Sequence, residues 1–423
     1  MKGILVVPFL LSAQAFKNVQ LPKPPLATYP FSQVEPSIAI HPTKKRKMVA
    51  GAVMNDFYYS TNGGKKWKSK SLTSAASGVG GDPVLHIDKD GTVYYFHLSN
   101  PPGGQSLDRI VCQTTDKVTG NFNDGSYPVP NPPKVQDKQW VAEHPSKNEM
   151  YMTWTEFDAY NSDKVTDSSH IVFSKSTDSG QSWSKPKRIS IRGGDCLDGD
   201  NTVEGAVPTV DNKGNIYVIW TGPNGLVMNK SLDGGETWGK KEIEIAKQPE
   251  GWAIDVPGIY RCNGLPILSC SRKTNTLFLN WTDQRNGLDD TDVFMSKSTD
   301  GGLSWTHPKR VNQDTTITHQ FFTWMTVDQS SGHLYFVYFD RRKYADNQTD
   351  VVLAVSRDEG ETFEEFTISN SPFVPNKDIF FGDYNNIAAV KGSIRPIWPR
   401  MDNGKITLWT AIIDEKTLKR FAN

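Results

Sequence analysis

The chain of 423 residues lacks net charge, since 47 Lys and Arg stand against 47 Asp and Glu. Without an overall positive field there is nothing in the composition to draw it to phosphate backbones, and no nucleic-acid partner is expected. Its eight histidines are scattered and its four cysteines, Cys112, Cys196, Cys262 and Cys270, do not fall into the spacing of a zinc site. No stretch beyond the N-terminus approaches the ~18 apolar residues of a membrane span. Nor does any segment carry a long, capped apolar pattern of period 3.6, so helix is scarce and an all-β chain is expected.

What is abundant is turn-forming and aromatic residues. There are 34 Gly and 26 Pro, together with 12 Trp, 14 Tyr and 20 Phe. That much apolar surface offsets chain entropy, which excludes global disorder and predicts a packed core. Length alone suggests two or three domains of ~100–200 residues, a prior that bends if the chain is a closed repeat array. At the N-terminus, Met1-Lys2 precedes an apolar run from Ile4 to Leu11 and a small-residue end at Ala13 and Ala15. Residues 1–15 read as a short secretory signal, with an N-terminal strand as the alternative, so residues 16–423 are expected to be secreted.

One phrase occurs five times. Its copies run from Ser60 through Asn62 and Gly64 to Trp67, from Ser176 through Asp178 and Gly180 to Trp183, and from Ser231 through Asp233 and Gly235 to Trp238. Two more run from Ser298 through Asp300 and Gly302 to Trp305, and from Ser356 through Asp358 and Gly360 to Phe363. A degenerate sixth lies at Thr114, Asp116, Gly120 and Phe122. In a tight turn the Ser hydroxyl and the carboxylate accept backbone N–H bonds, Gly supplies a positive φ, and the aromatic folds back between strands. Such a recurrence, each copy following a strand-like run, signals a repeat fold.

The phrase resembles the Asp-box, or BNR repeat, of the sialidase-type β-propellers. The resemblance implies four-stranded blades, with each box joining the third and fourth strands on the face opposite the active site. Box starts at Ser60, Thr114, Ser176, Ser231, Ser298 and Ser356 lie 54 to 67 residues apart, a spacing that divides the chain into about seven units. Seven blades are therefore expected, with six, the number in well-known sialidases, as the alternative. The last unit shows three strands and no box, so the segment around Val19 is expected to supply its outer strand and close the ring.

Inner strands begin, and second strands end, on the face opposite the boxes. That places Glu35, Asp82, Asp137, Glu204, Asn263, His319 and Asp383 at one mouth, with Glu156, Asp158, Asp283, Arg285, Asp340, Arg341, Arg342, Arg400 and Asp402 beside them. Arginine forks match a carboxylate bidentately and paired acids move protons, so this mixture suits an acidic sugar; the competing reading is a rim of charges that only pair with one another. The resemblance implies three arginines for the substrate carboxylate, a Tyr nucleophile backed by Glu, and an Asp acid/base. By rank along the chain these roles fall on Asp82, Glu204, Arg261 or Arg285, Arg341 and Tyr384, with Asp383 as a further mouth carboxylate. Glu35, His319, Asp340 and Arg400 complete the expected substrate-binding set. The family's early Arg has no counterpart here, because Val34-Glu35-Pro36-Ser37 stands in its place.

The acidic loop Asp195, Asp198 and Asp200 is a candidate structural calcium site, with a solvated acidic loop as the alternative. Cys196 and Cys262, one blade apart on one face, are a candidate disulfide. No cofactor is required by this reading, and a monomer is expected. Two functions stand open: a glycoside hydrolase of sialidase type acting on a glycan, and a non-catalytic propeller that binds carbohydrate or protein.

Overall fold

The structure, a computed structural model, describes residues 16–25 and 32–421, and the signal-like run 1–15 lies outside them. Seven antiparallel sheets, built in chain order, make a seven-bladed propeller. Its inner strands are Ser37–Ile40, Val84–Ile87, Val135–Glu143, Glu204–Val210, Ile267–Cys270, Gln320–Val327 and Asn386–Val390. The one helix among the described residues is Glu415–Phe421, and no helix is long and apolar enough to cross a membrane.

The ring closes as the repeat count requires. Strand Lys17–Gln20 pairs with Lys405–Asp414, Val19 opposite Thr410, and becomes the outer strand of the seventh blade. Six blades have four strands, whereas the second has three, followed by a single bridge between Cys112 and Ser126. Beyond that bridge the chain passes through Pro128, Pro130, Pro132 and Pro133, whose missing N–H groups cannot extend a ladder.

The boxes act as joints between blades. In each intact copy the Ser hydroxyl accepts the Gly N–H at 2.8–3.0 Å and donates to the Asp or Asn side chain at 2.7–3.0 Å. The glycines have φ between 77° and 86° and press on the preceding blade. A Cβ would overlap Phe173 at Gly235 and Met228 at Gly302, and would stand 2.5 Å from Met295 at Gly360. A cation ahead of the box reaches across the same seam. Lys230 donates to the Gly301 carbonyl at 2.7 Å, Lys297 to that of Glu359 at 2.9 Å, and Arg395 to that of Gly63 at 3.0 Å where the last blade meets the first. Even the degenerate copy keeps its aromatic: Phe122 lies 4.9 Å from Phe57 and 6.1 Å from Tyr95, on two adjacent blades.

A second repeated feature sets the axis. At the same step before the inner strand turns into the channel, Glu35, Asp82, Lys138 and Phe322 have φ of 48–51° and Gly205 has 73°. Left-handed backbone costs a non-glycine residue roughly 1–2 kcal/mol, so its recurrence marks a geometry the fold enforces. Register shifts accompany it in the third, fourth and sixth blades. Below this level Trp140, Trp324 and Tyr384 meet with ring centroids 4.3–6.0 Å apart and plug the channel. Below the plug, the axis-facing residues Ala39, Ala142, Thr209, Ser269, Thr326 and Ala388 are small, with His86 the seventh, and leave an axial well of about 340 Å³.

All four cysteines are buried and free, so the expected Cys196–Cys262 bond does not form. Cys262 lies on a two-stranded ribbon, Ala253–Ile254 with Cys262–Asn263, and packs into a core with Phe321 and Phe322. Cys196 belongs to a loop whose carbonyl accepts the Asn161 N–H over the third blade.

Box glycines should therefore differ by what they touch. Gly235→Ala, whose Cβ would meet the buried Phe173 ring, should destabilise the protein by roughly 1–3 kcal/mol more than Gly234→Ala, which shares the positive φ but has nothing near its missing Cβ. Urea unfolding of the two variants checks this.

Candidate functional site

The left-handed steps bring Glu35, Asp82 and Lys138 into one electrostatic cluster with Asp137, Asp198, Glu204, Asp383 and Arg261. Asp383 is its centre. Lys138 Nζ lies 2.6 Å from Asp383 Oδ2, with both side chains almost wholly buried, at 5% and 2% exposure. Arg261 approaches the same carboxylate through Nε at 2.7 Å and Nη2 at 2.5 Å, and Asn263 Nδ2 donates to the Asp383 carbonyl at 2.9 Å. Burial alone would raise the Asp383 pKa, but Lys138 and Arg261 hold it well below the usual carboxylate range.

Six carboxyls share two cations, so they cannot all ionise. Glu204 is pushed well up, by burial first and then by the Asp198 and Asp137 charges, against the pull of Lys138. Neither of its oxygens meets a donor. Only a proton of its own lets Glu204 bond, and Asp198 is the acceptor. Asp198 is held low despite burial by Lys138, by the Tyr160 hydroxyl at 2.6 Å and by Arg261 Nη1 at 3.1 Å. Burial and the neighbouring Asp82 and Asp383 likewise keep Glu35 protonated. Asp137 rises to about 7, through burial opposed by Lys138.

Arg261 is the cluster's outlet to solvent, with a side chain 41% exposed. It sits on the ribbon, over the Phe380 ring at 5.1 Å, and Tyr260, 57% exposed, meets the same ring at 5.9 Å. The ribbon is tied down by Asp200, whose Oδ1 accepts the N–H groups of Trp252 and Ala253 at 2.8 Å each. Between ribbon and cluster lies a pocket of about 70 Å³, lined by Lys138, Asp198, Trp252, Arg261, Asn263 and Asp383.

The structure corrects several expectations. Asp195, Asp198 and Asp200 do not converge on a cation: Asp195 accepts the Thr202 hydroxyl at 2.7 Å, and the other two are engaged as described. Among the described residues no group of three His, Cys, Asp or Glu is placed to hold a metal. The expected substrate-binding residues at second-strand ends are committed elsewhere. Arg285 binds Asp283, Asp340 binds Arg342, and Arg400 binds Asp402 and the carbonyls of Ser371 and Pro372. Arg341 is buried and holds the ribbon tip through the Pro257 carbonyl at 2.6 Å. His319 bonds Thr291, and burial, with Arg341 nearby, lowers it to about 4. Tyr384 belongs to the aromatic plug, its phenol pushed up by burial and by Asp82 and Glu35. Lys138 had not been singled out. Its position matches that of Glu35 and Asp82 two blades and one blade earlier, and that equivalence is the signal that could have found it.

No family model matches the chain. A sialidase of Micromonospora viridifaciens is 30% identical over 99 residues, which are 20% of this chain and only 14% of that protein. Among solved structures, an ulvan lyase from a new polysaccharide lyase family aligns with a TM-score of 0.55 at 12% identity, covering 94% of this chain and 96% of that one. A Trypanosoma rangeli sialidase in complex with sialic acid gives 0.50 at 13% identity, covering 84% of this chain and 57% of that one. At these identities the likeness is one of fold. It agrees with the sialidase-type propeller implied by the boxes.

Two outcomes follow for stability. Asp383→Asn leaves the buried Lys138 without its close carboxylate, and the partly exposed Arg261 with Asp198 alone, and should cost about 3–5 kcal/mol at pH 7. Because the folded Asp383 pKa is depressed, that contribution is present above about pH 4 and disappears as the pH falls further. Glu204 has the opposite sign: its raised pKa favours folding at low pH, an advantage lost as pH rises above about 4.3 toward the folded value. Glu204→Gln should thus gain stability relative to wild type as pH increases from 5 to 8, read by thermal unfolding across that range.

Proposed function

We propose that the protein is an exported, sialidase-like glycoside hydrolase that acts on a glycan at this mouth. The observation that carries the reading is the Asp198–Glu204 pair, two carboxyls of one buried cluster whose environments drive their pKa values apart, beside a partly exposed guanidinium. Such splitting is how one site obtains both an acid and a base near neutral pH. Asp198 faces the pocket and is the group that would exchange a proton with the glycosidic oxygen. Glu204, behind it, holds the proton, while Arg261 and the Tyr260–Phe380 rings receive the sugar. Asp383 becomes a positioning residue for Arg261 and Lys138 rather than an acid/base group. Tyr384 stays a phenol in the plug, so water is the attacking group. The Glu204 proton passes through Asp198 to the glycosidic oxygen as its bond to the anomeric carbon breaks, and the proton that water loses on bonding to that carbon returns to the Asp198–Glu204 pair.

The ligands held by neighbours in fold support a saccharide as substrate. The Trypanosoma rangeli enzyme holds sialic acid, and the ulvan lyase holds a glucuronate and sulfated-rhamnose repeat. One feature favours the second reading, a propeller that binds glycans without cleaving them: a pocket of about 70 Å³ is too small for a sugar ring. Catalysis therefore requires the ribbon to lift.

A panel of chromogenic glycosides, a sialoside included, decides between the two. Hydrolysis should fall at least ~10²-fold in both Asp198→Asn and Glu204→Gln, with melting temperatures no lower than needed for folding at the assay temperature. Unchanged rates in both would end the assignment. No cleavage of any glycoside, with specific binding on a glycan array, would establish the binding propeller instead.

A further inference from the structure

The axial well lies on the other side of the aromatic plug from the acid cluster and shares no residue with the mouth pocket. Inner strands run from the mouth to the box face, so the well's far rim is formed by their C-terminal ends. Its volume of about 340 Å³ falls in the range of small-ligand sites, and it exists because six of the seven axis-facing side chains at its waist are small. Its floor is Trp140 and Trp324, and Trp324 is partly exposed although its strand neighbours Thr323 and Met325 are buried.

The polar groups gather at the rim. His86 Nε2 lies 3.1 Å from Glu143 Oε2, which leaves the second carboxylate oxygen for another donor. Arg272 donates from Nη2 to the Glu143 carbonyl at 3.3 Å and has no carboxylate within ion-pair distance among the described residues. Its backbone is fixed by Gln329, whose side chain accepts the Arg272 N–H at 2.8 Å and donates to the Cys270 carbonyl at 2.9 Å. Ser269 adds a hydroxyl on the wall.

We propose that this well binds a neutral monosaccharide-sized polyol ring. An indole floor suits the C–H face of a pyranose, whose carbons are apolar and whose hydroxyls point sideways. Around that face the rim offers an acceptor in Glu143, a fork of donors in Arg272 and groups of both kinds in His86 and Ser269, the mixture vicinal hydroxyls require. Charge selects against an ionic ligand. Glu143 and Arg272 are the acid and the base that line the well, and they cancel. This site is independent of the chemistry proposed for the mouth.

The test is titration of the full chain with D-glucose, D-galactose, D-mannose and, as the charged control, D-glucuronate, followed by tryptophan fluorescence and calorimetry. At least one neutral hexose should bind in the millimolar range and change the indole emission. Glu143→Gln and Arg272→Gln, both at the partly exposed rim, should each weaken it at least tenfold, and Ser269→Met, which fills the well, should abolish it. Asp198→Asn at the mouth should leave it unchanged. Matching melting temperatures separate loss of binding from loss of fold, and if a rim variant unfolds the Ser269→Met result decides. No response to any hexose, tighter binding of glucuronate than of the neutral sugars, or loss of binding in Asp198→Asn but not in the rim variants would overturn the proposal.

Discussion

The mouth of this propeller is organised by one carboxylate held between two cations. Asp383 enters from the seventh blade, Lys138 from the third, and Arg261 from the ribbon that precedes the fifth, so a single ionic junction ties together parts of the chain 122 and 245 residues apart. Removing such ions from water costs several kcal/mol each, and the expense is recovered only because every charge has a close, well-aligned partner. Once those two cations are taken, the other five acids compete for what field is left. Burial pushes Glu204 and Glu35 up and their acidic neighbours add to it, while Lys138, Tyr160 and Arg261 hold Asp198 low despite its own burial. The unequal titration of Glu204 and Asp198 thus has two sources, burial first and then the unequal share of the two cations that each receives.

The rest of the molecule serves to hold seven inner strands at the right height. The five blades with an intact box press its glycine on the preceding blade, and at several seams a cation reaches across, a short-range rule applied repeatedly. Nearest-neighbour contacts of this kind let individual blades vary, as the proline-rich second blade does, without loss of the ring. The left-handed step at the start of the inner strand is what turns this uniform scaffold inward. Where the residue at that step is Glu35, Asp82 or Lys138 it places a titratable group at the axis, and where it is Phe322 or Gly205 it places none.

The periodic part of this design was legible in the sequence. Boxes gave the blade count, the missing fourth strand of the last unit pointed to Val19, and the inner-strand starts fell within a few residues of their observed positions. Charges at second-strand ends were misread because rank along the chain says nothing about partners. The spacing held the answer. Asp283 and Asp340 end their strands and accept the backbone N–H of Arg285 and Arg342 two residues on, at 3.2 and 2.7 Å, turns that fold each guanidinium back onto its acid. Arg400 and Asp402 share one strand face, and all three pairs neutralise one another. The acidic loop was misread for a different reason. Its alternating oxygens look like a cation cradle until the backbone N–H groups of Trp252 and Ala253, fifty residues on, claim Asp200. Lys138 was hidden because a lysine beside an aspartate reads as surface charge unless the blades are superposed.

Closure of the ring has a consequence for how the protein is made. Lys17 pairs with Ile412 and Gln20 with Trp409, so the outer strand of the seventh blade precedes all the other blades in the chain and finds its partner only after they have been synthesised. Until then the seventh blade is incomplete and both ends of the growing array present unpaired strand edges. Completion therefore waits for the last blade, and the interval before it is when this chain is most open to pairing with the wrong strand, its own or another molecule's.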